Sequence, residues 1–91
     1  MTEKEDSSVN AWFVYILRCD DGTLYTGITN DLTRRWEQHN AGIASRYTRS
    51  RLPVVLVYQE VQEDRSMALK RELGIKALPR HKKESLIQAA G

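Results

Sequence analysis

The sequence contains few of the residues that form disulfide bonds or interrupt helices and strands. Its 91 residues include one cysteine, two prolines and five glycines. A single cysteine excludes an internal disulfide framework and is typical of a reducing compartment, so we expect a cytoplasmic protein. No apolar run approaches the roughly 18 residues of a membrane-spanning helix, so we expect no membrane partner. The length predicts one domain, near the lower size limit for folding without disulfide bonds or a structural metal.

The formal net charge is only +2, but the charges are distributed unevenly along the chain. Residues 1–31 carry two basic and six acidic side chains, whereas residues 34–91 carry twelve basic and six acidic ones. The basic residues concentrate in two groups, at positions 34–51 and 70–83. This asymmetry predicts a surface that faces a polyanion. For either group taken alone, a solvated helix face is the alternative.

Apolar segments and turn formers alternate in an order that predicts ββαβαα. The segments are strand 12–18, strand 23–29, a helix from Asn30 or Asp31 to about Ala41, strand 54–60, a helix from Asp64 or Ser66 to about Ala77, and a helix from Pro79 to about Ala89. We therefore predict an α/β fold of the α+β type, a small three-stranded antiparallel sheet covered by helices. Residues 1–11 are polar and acidic, so we expect a disordered leader followed by one domain at residues 12–91.

The turn between the first two strands decides whether Tyr15 and Tyr25 can act together. A two-residue loop at residues 21–22 would place the tyrosines on opposite faces of the sheet. A three-residue loop at residues 20–22 pairs Tyr15 with Gly27 and puts both tyrosines on one face. We predict the three-residue loop, because Asp-Asp-Gly suits a type I turn followed by a left-handed glycine. Gly27 would then leave an open floor beside both hydroxyls.

The first helix carries polar side chains beside its apolar stripe. Leu32 and Trp36 mark the stripe, and Arg35 and His39 lie four residues apart at its edge. Arg34 points away from the sheet at this spacing. Geometry therefore favours Arg35 over Arg34 for any chemistry at the sheet.

The second helix carries a carboxylate where apolar residues are expected. Glu72 lies among the side chains predicted to be buried, which are Ala68, Leu69, Leu73 and Ile75. A buried carboxylate is costly unless it is paired or bound to a metal. Glu72 therefore predicts a metal site, and an ion pair with Lys76 four residues later is the alternative.

Taken singly, these residues have ordinary explanations as packed tyrosines, a solvated arginine and a boundary histidine. Taken in order, they resemble the GIY-YIG nuclease superfamily, specifically its small stand-alone bacterial members. Val14-Tyr15 is similar to the first half-motif and Tyr25-Thr26-Gly27 to the second. Arg35 and His39 follow, and then the pattern Ala68-x-x-x-Glu72-x-x-x-Lys76. The resemblance covers roughly residues 11–88.

The resemblance implies a metal-dependent endonuclease that hydrolyses phosphodiester bonds in DNA, or alternatively in RNA. Glu72 would hold one divalent ion, Mg²⁺ or Mn²⁺, which needs few protein carboxylates. Tyr25 or Tyr15 would be the general base, and Arg35 would stabilise the phenolate and bind phosphate. Tyr15 would otherwise position the water or the phosphate, and His39 would accept or relay a proton.

The chain also departs from the family pattern. The first motif reads Phe-Val-Tyr, Thr26 replaces isoleucine in the second, and no asparagine follows Asn40, although many members carry one after the glutamate. We expect little sequence preference and a separate protein that supplies targeting. A nucleic-acid-binding module with weak or no activity is the alternative function, and an adaptor for an acidic protein partner is a third.

The basic segment at residues 43–53 is predicted to be a loop that contacts nucleic acid. Arg46, Arg49 and Arg51 are interleaved with Tyr47, which suits phosphate contacts and base stacking. Lys76, from the later helix, joins this predicted set. An exposed loop without a ligand is the alternative.

Overall fold

A computed structural model describes residues 11–90, so the predicted leader at residues 1–11 lies almost wholly outside the described residues. The elements are β1 (Trp12–Arg18), β2 (Leu24–Thr29), α1 (Leu32–Asn40), α2 (Arg46–Arg49), β3 (Val55–Gln62), α3 (Arg65–Lys76) and α4 (Arg80–Ala90). The predicted α+β class and the order ββαβαα are confirmed, with element ends differing by one or two residues. The short helix α2 is an addition, because this segment was predicted to be a loop. Among the described residues, no helix has the length and apolar character needed to cross a membrane.

The sheet is antiparallel, with the strand order β2-β1-β3. Tyr15 pairs with Gly27, which is the register of the three-residue loop. Cys19 N–H donates to the Thr23 carbonyl at 2.8 Å, and Gly22 adopts φ 85°. The predicted hairpin is therefore confirmed, and β2 is left as an edge strand.

Side-chain caps start the helices where the sequence predicts them. The Asp31 carboxylate accepts from the Arg34 N–H at the start of α1, and Asp64 accepts from the Met67 N–H at the start of α3. Each cap satisfies one of the N–H groups that have no partner within the first helical turn. Gly42, with φ 81°, ends the first of these helices in the left-handed conformation.

Helices cover both faces of the sheet and form two separate cores. The core between the sheet, α3 and α4 includes Val14, Ile16, Ala68, Ile75 and Leu86. The core beneath α1 includes Tyr15, Leu17, Tyr25, Leu32 and Val54. The two tyrosines consequently lie on the face covered by α1.

The buried face of α3 differs from the prediction at one residue. Ala68 and Ile75 are fully buried, but Leu73 is 67% exposed. At about 100° per residue, position 73 lies about 140° around the helix from position 68, whereas position 72 lies about 40° away. The expected burial of Leu73 was therefore wrong, and Glu72 lies on the inward side.

Candidate active site

Tyr15 reaches from the central strand across the edge strand β2. The side chain is 3% exposed. A Cβ at position 27 would lie 2.5 Å from the Tyr15 hydroxyl and 2.7 Å from Cζ. The tyrosine ring therefore occupies the space that glycine leaves at Gly27. The expectation of an open floor at this position was wrong, because Tyr15 itself fills it.

His39 is the hydrogen-bond partner of Tyr15. The His39 side chain is 1% exposed, and its Nε2 lies 2.9 Å from the Tyr15 hydroxyl. Its Nδ1 lies 2.8 Å from Thr48 Oγ1, and the Thr48 hydroxyl donates to the Ser45 carbonyl at 3.5 Å. Because the Thr48 proton points to Ser45, Nδ1–H of the neutral imidazole donates to Thr48 and Nε2 accepts from Tyr15.

The sequence placed His39 at the edge of the apolar stripe of α1, but the structure places it at the centre. Trp36, predicted to mark that stripe, is 37% exposed and donates its indole N–H to the Val54 carbonyl. The buried side of α1 is therefore centred on His39, whose imidazole has the Tyr15 hydroxyl as a buried partner.

Burial sets the protonation of the Tyr15–His39 pair. Desolvation, with a smaller effect of the Arg35 guanidinium, lowers the pKa of His39 to about 4. Desolvation also raises the pKa of Tyr15 well above its ordinary value, and nearby Tyr25 and Glu72 raise it further, while Arg35 lowers it. At neutral pH the imidazole is therefore uncharged and Tyr15 keeps its proton.

Tyr25 lies against this pair but nearer to the surface. Its ring centroid is 6.5 Å from that of Tyr15 and 5.1 Å from that of His39. The Tyr47 ring stacks on it, with centroids 6.0 Å apart and an interplanar angle of 25°. Tyr25 is half-buried, and within residues 11–90 its hydroxyl makes no hydrogen bond. Of the two tyrosines, Tyr25 is the more exposed.

Arg35 and Glu72 act with opposite signs on Tyr15. The Arg35 guanidinium lowers the pKa of the Tyr15 hydroxyl and the Glu72 carboxylate raises it, and Arg35 and Tyr15 line the same small pocket. Arg35 also borders an open depression of about 440 Å³ at the start of α1, and Arg34, predicted to point away, lines the same depression. The Glu72 side chain is 14% exposed and its Oε2 lies 3.2 Å from Lys76 Nζ. The alternative explanation of Glu72, a pair with Lys76, is thus present in the structure.

Glu72 offers a metal ion one carboxylate. Residues 11–90 contain no group of three or more histidine, cysteine, aspartate or glutamate side chains that could hold an ion together. Mg²⁺ commonly takes one or two protein carboxylates and keeps several waters, so a lone carboxylate with one oxygen outside the Lys76 pair fits such an ion.

The predicted nucleic-acid-binding residues of the basic segment have different surroundings. The Ser45 hydroxyl caps α2, and the exposed Arg46 and Arg49 line a depression of about 430 Å³. Tyr47 and Arg51 instead contact each other and other parts of the protein, with the Arg51 guanidinium carbon 3.9 Å from the Tyr47 ring centroid.

Two residues of the site were missed by sequence reasoning. Thr48 is fully buried as the second partner of His39. Asn40 accepts from the Val54 N–H and donates to the Val54 carbonyl, which fixes the start of β3 beside α1. A Ser-x-x-Thr pattern in a basic segment could have indicated a capped turn, but no local signal indicates either long-range partner.

Comparisons with known proteins show the family to which the chain belongs. A model of the GIY-YIG catalytic domain matches residues 11–85. The chain is 51% identical over 89 residues to a UPF0213 protein of Desulfotalea psychrophila, covering 97% of this chain and 81% of that protein. It is 51% identical over 80 residues to a UPF0213 protein of Staphylococcus aureus, covering 88% of this chain and 98% of that protein.

Two solution NMR structures are similar in fold. A UPF0213 protein of Bacillus halodurans has a TM-score of 0.59 at 41% identity, with 89% of this chain and 86% of that one covered. A protein of E. faecalis has a TM-score of 0.60 at 37% identity, with 87% and 84% covered. From the family match, these relatives and the arrangement of the site, the chain belongs to the GIY-YIG family of nucleases.

Proposed function

We propose that the protein is a metal-dependent endonuclease that hydrolyses phosphodiester bonds in DNA with little sequence preference. The observation that carries the proposal is the packing of Tyr25 against the buried Tyr15–His39 pair, with the charges of Arg35 and Glu72 both acting on the Tyr15 hydroxyl. The site combines a phenol at the surface, a cation and a lone carboxylate. These groups suit the deprotonation of water beside a phosphate.

Tyr25 is the proposed general base. Tyr15 is buried, has a raised pKa and donates to His39, so it is a poor acceptor of a proton from water. Tyr25 as phenolate would take a proton from the attacking water as the oxygen bonds to phosphorus and the opposite phosphorus–oxygen bond breaks. Arg35 would bind a phosphate oxygen. Tyr15 and His39 are uncharged and form the buried part of the site, against which Tyr25 packs.

Glu72 is the proposed ligand of one divalent ion, Mg²⁺ or Mn²⁺. A bound ion supplies charge stabilisation at the phosphate and the departing oxygen. Ligation by Glu72 would draw the carboxylate away from Lys76, which would then be released toward the nucleic acid. Arg46 and Arg49, which are exposed on α2, are the proposed phosphate contacts of the basic segment.

Cleavage assays with two matched variants test this function. Tyr25→Phe removes a hydroxyl that makes no hydrogen bond within the described residues, so the fold should persist while cleavage falls by at least about 10²-fold. Glu72→Gln keeps the side-chain size and should abolish the cleavage that requires Mg²⁺ or Mn²⁺. The measurement is the cleavage rate of duplex, single-stranded and branched DNA, and of RNA, with the ion or with a chelator.

Circular dichroism and urea unfolding provide the control that both variants remain folded. A chain that binds DNA, with both variants equal to the parent in cleavage, would contradict the proposal and identify a binding module. An affinity that barely changes with salt would contradict every nucleic-acid function, because phosphate contacts release counterions. Faster cleavage of RNA than of DNA would reassign the substrate.

A further inference from the structure

A row of side chains connects Tyr25 with the β1–β2 hairpin. The Tyr47 ring stacks on Tyr25 with centroids 6.0 Å apart, and the Arg51 guanidinium lies 3.9 Å from the Tyr47 centroid. Arg51 Nε donates to Asp21 Oδ2 at 3.0 Å, and Arg51 Nη1 donates to the Tyr47 carbonyl at 2.8 Å. The hairpin loop therefore binds Arg51, and the Arg51 guanidinium covers the Tyr47 ring. The Tyr47 ring in turn packs on Tyr25.

We propose that Tyr47 and Arg51 are positioning residues that hold the Tyr25 ring in the orientation needed for catalysis, and that they do not contact the nucleic acid directly. The inference rests on the proposed function, in which Tyr25 is the general base. It replaces the expectation that Tyr47 stacks on a base and Arg51 binds a phosphate.

Tyr25 needs such support because its hydroxyl makes no hydrogen bond to any other of the described residues 11–90. The ring has His39 at 5.1 Å and Tyr15 at 6.5 Å as tilted or edge-on neighbours. Tyr47 is the neighbour that stacks nearly parallel to it. An offset aromatic stack and a cation over its outer ring restrict rotation about the Tyr25 side-chain bonds. A catalytic group held in one orientation reacts faster than one that samples several.

Arg51 already has partners within the chain, which a phosphate contact would have to displace. Its guanidinium already serves a carboxylate, a carbonyl and an aromatic face. The pKa of the Asp21 carboxyl lies below its usual range, chiefly because the Thr23 hydroxyl donates to it and also because of Arg51, so Asp21 is charged at neutral pH. The Asp20 N–H, which donates to the Arg51 carbonyl at 3.0 Å, adds a backbone tie at the same point.

Two Tyr47 variants separate positioning from substrate contact. Tyr47→Leu removes the aromatic ring and should lower kcat about tenfold, with KM and the affinity for DNA in chelator changed less than twofold. Tyr47→Phe keeps the stack and should restore kcat. Arg49→Gln, on the same short helix but outside the stack, is the matched comparison and should raise KM instead.

The ring-proton resonances of Tyr25 give a readout that does not depend on cleavage. In a free protein with labelled tyrosines, Tyr47→Leu and Arg51→Gln should both shift these resonances, whereas Tyr47→Phe should shift them little. Unmoved Tyr25 resonances in Tyr47→Leu would overturn the inference, and so would a loss of affinity with kcat intact. An inactive parent would overturn the proposed function, while the resonances would still decide whether Tyr47 stacks on Tyr25.

Discussion

His39 shows at the scale of one residue how burial selects a protonation state. The imidazole is enclosed, and both of its nitrogens have protein partners in Tyr15 and Thr48. In a charged imidazole both nitrogens donate, so the Tyr15 hydroxyl would have to turn its own proton away from Nε2, and the charge would be buried. The fold therefore needs His39 to be neutral, and its stability should depend on pH.

We expect the protein to lose stability as the pH falls from neutral. The folded state protonates His39 only near pH 4, whereas an unfolded chain protonates it near about 6.5. Between these values the unfolded state binds more protons, so the free energy of unfolding decreases with decreasing pH, by about 2 kcal/mol between about pH 7 and pH 5. Urea unfolding at a series of pH values measures this change.

Two histidine variants control this measurement. His39→Gln should be less stable at neutral pH but should show a flatter dependence, because the titrating group is gone. His81→Gln removes the other histidine, at an exposed position on α4, and should keep the dependence of the parent. A parent whose stability stays level between about pH 7 and pH 5 would contradict the expected burial of a neutral imidazole.

At the scale of elements, two glycines show opposite relations to their surroundings. In β2, Gly27 lies under the Tyr15 ring, so an added Cβ would collide with it. In α3, Gly74 has nothing within 4 Å of the position of an added Cβ. Gly27 is needed because the Tyr15 ring occupies the space of a side chain, whereas the space around Gly74 would accept a side chain.

We expect alanine at these two positions to change stability in opposite directions. Gly27→Ala should destabilise the protein by about 1–3 kcal/mol, because the Tyr15 ring is held by His39 and has no free space to move into. Gly74→Ala should stabilise it by up to about 1 kcal/mol, because alanine restricts the unfolded chain and favours helix. Urea unfolding of both variants measures the difference, and a stable Gly27→Ala would contradict the close approach.

At the scale of the molecule, the sheet separates the two basic groups. Those at positions 34–51 belong to α1, α2 and the chain after them, on the face with Tyr15 and Tyr25. Those at positions 70–83 belong to α3 and α4, which pack on the opposite face. A nucleic acid bound at the proposed site would contact the first group, whereas of the second group only Lys76, which lies beside Glu72, would reach it.

We expect the salt dependence of DNA binding to distinguish the two groups. Arg46→Gln should reduce the slope of log K against log salt by about one, because one phosphate contact is lost. Lys82→Gln, on α4, should leave the slope as it is in the parent. Fluorescence anisotropy of a labelled duplex in chelator measures both slopes, and equal slopes for the two variants would contradict the placement of the DNA.

The cytoplasmic location and a separate targeting protein stay predictions from the sequence.

Local patterns were enough to predict most elements and part of the site. Asp-Asp-Gly determined the hairpin register, and with it the shared face of Tyr15 and Tyr25, because a turn of three residues permits only that pairing. Spacings of three and four residues placed Glu72 on the inward side of α3, because residues at these spacings share one face of a helix. In each case the geometry is set within a few residues of the chain.

The tertiary structure decided which of these residues could do what. The sequence could not show that Tyr15 is the buried tyrosine, that Thr48 is a partner of His39, or that Tyr47 packs on Tyr25. These facts depend on how α1 and residues 45–54 lie on the sheet, through contacts between positions far apart in the chain. Burial and desolvation arise from that packing, so a pattern of residue types can predict which side chains share a face but not which of them are enclosed and keep their protons.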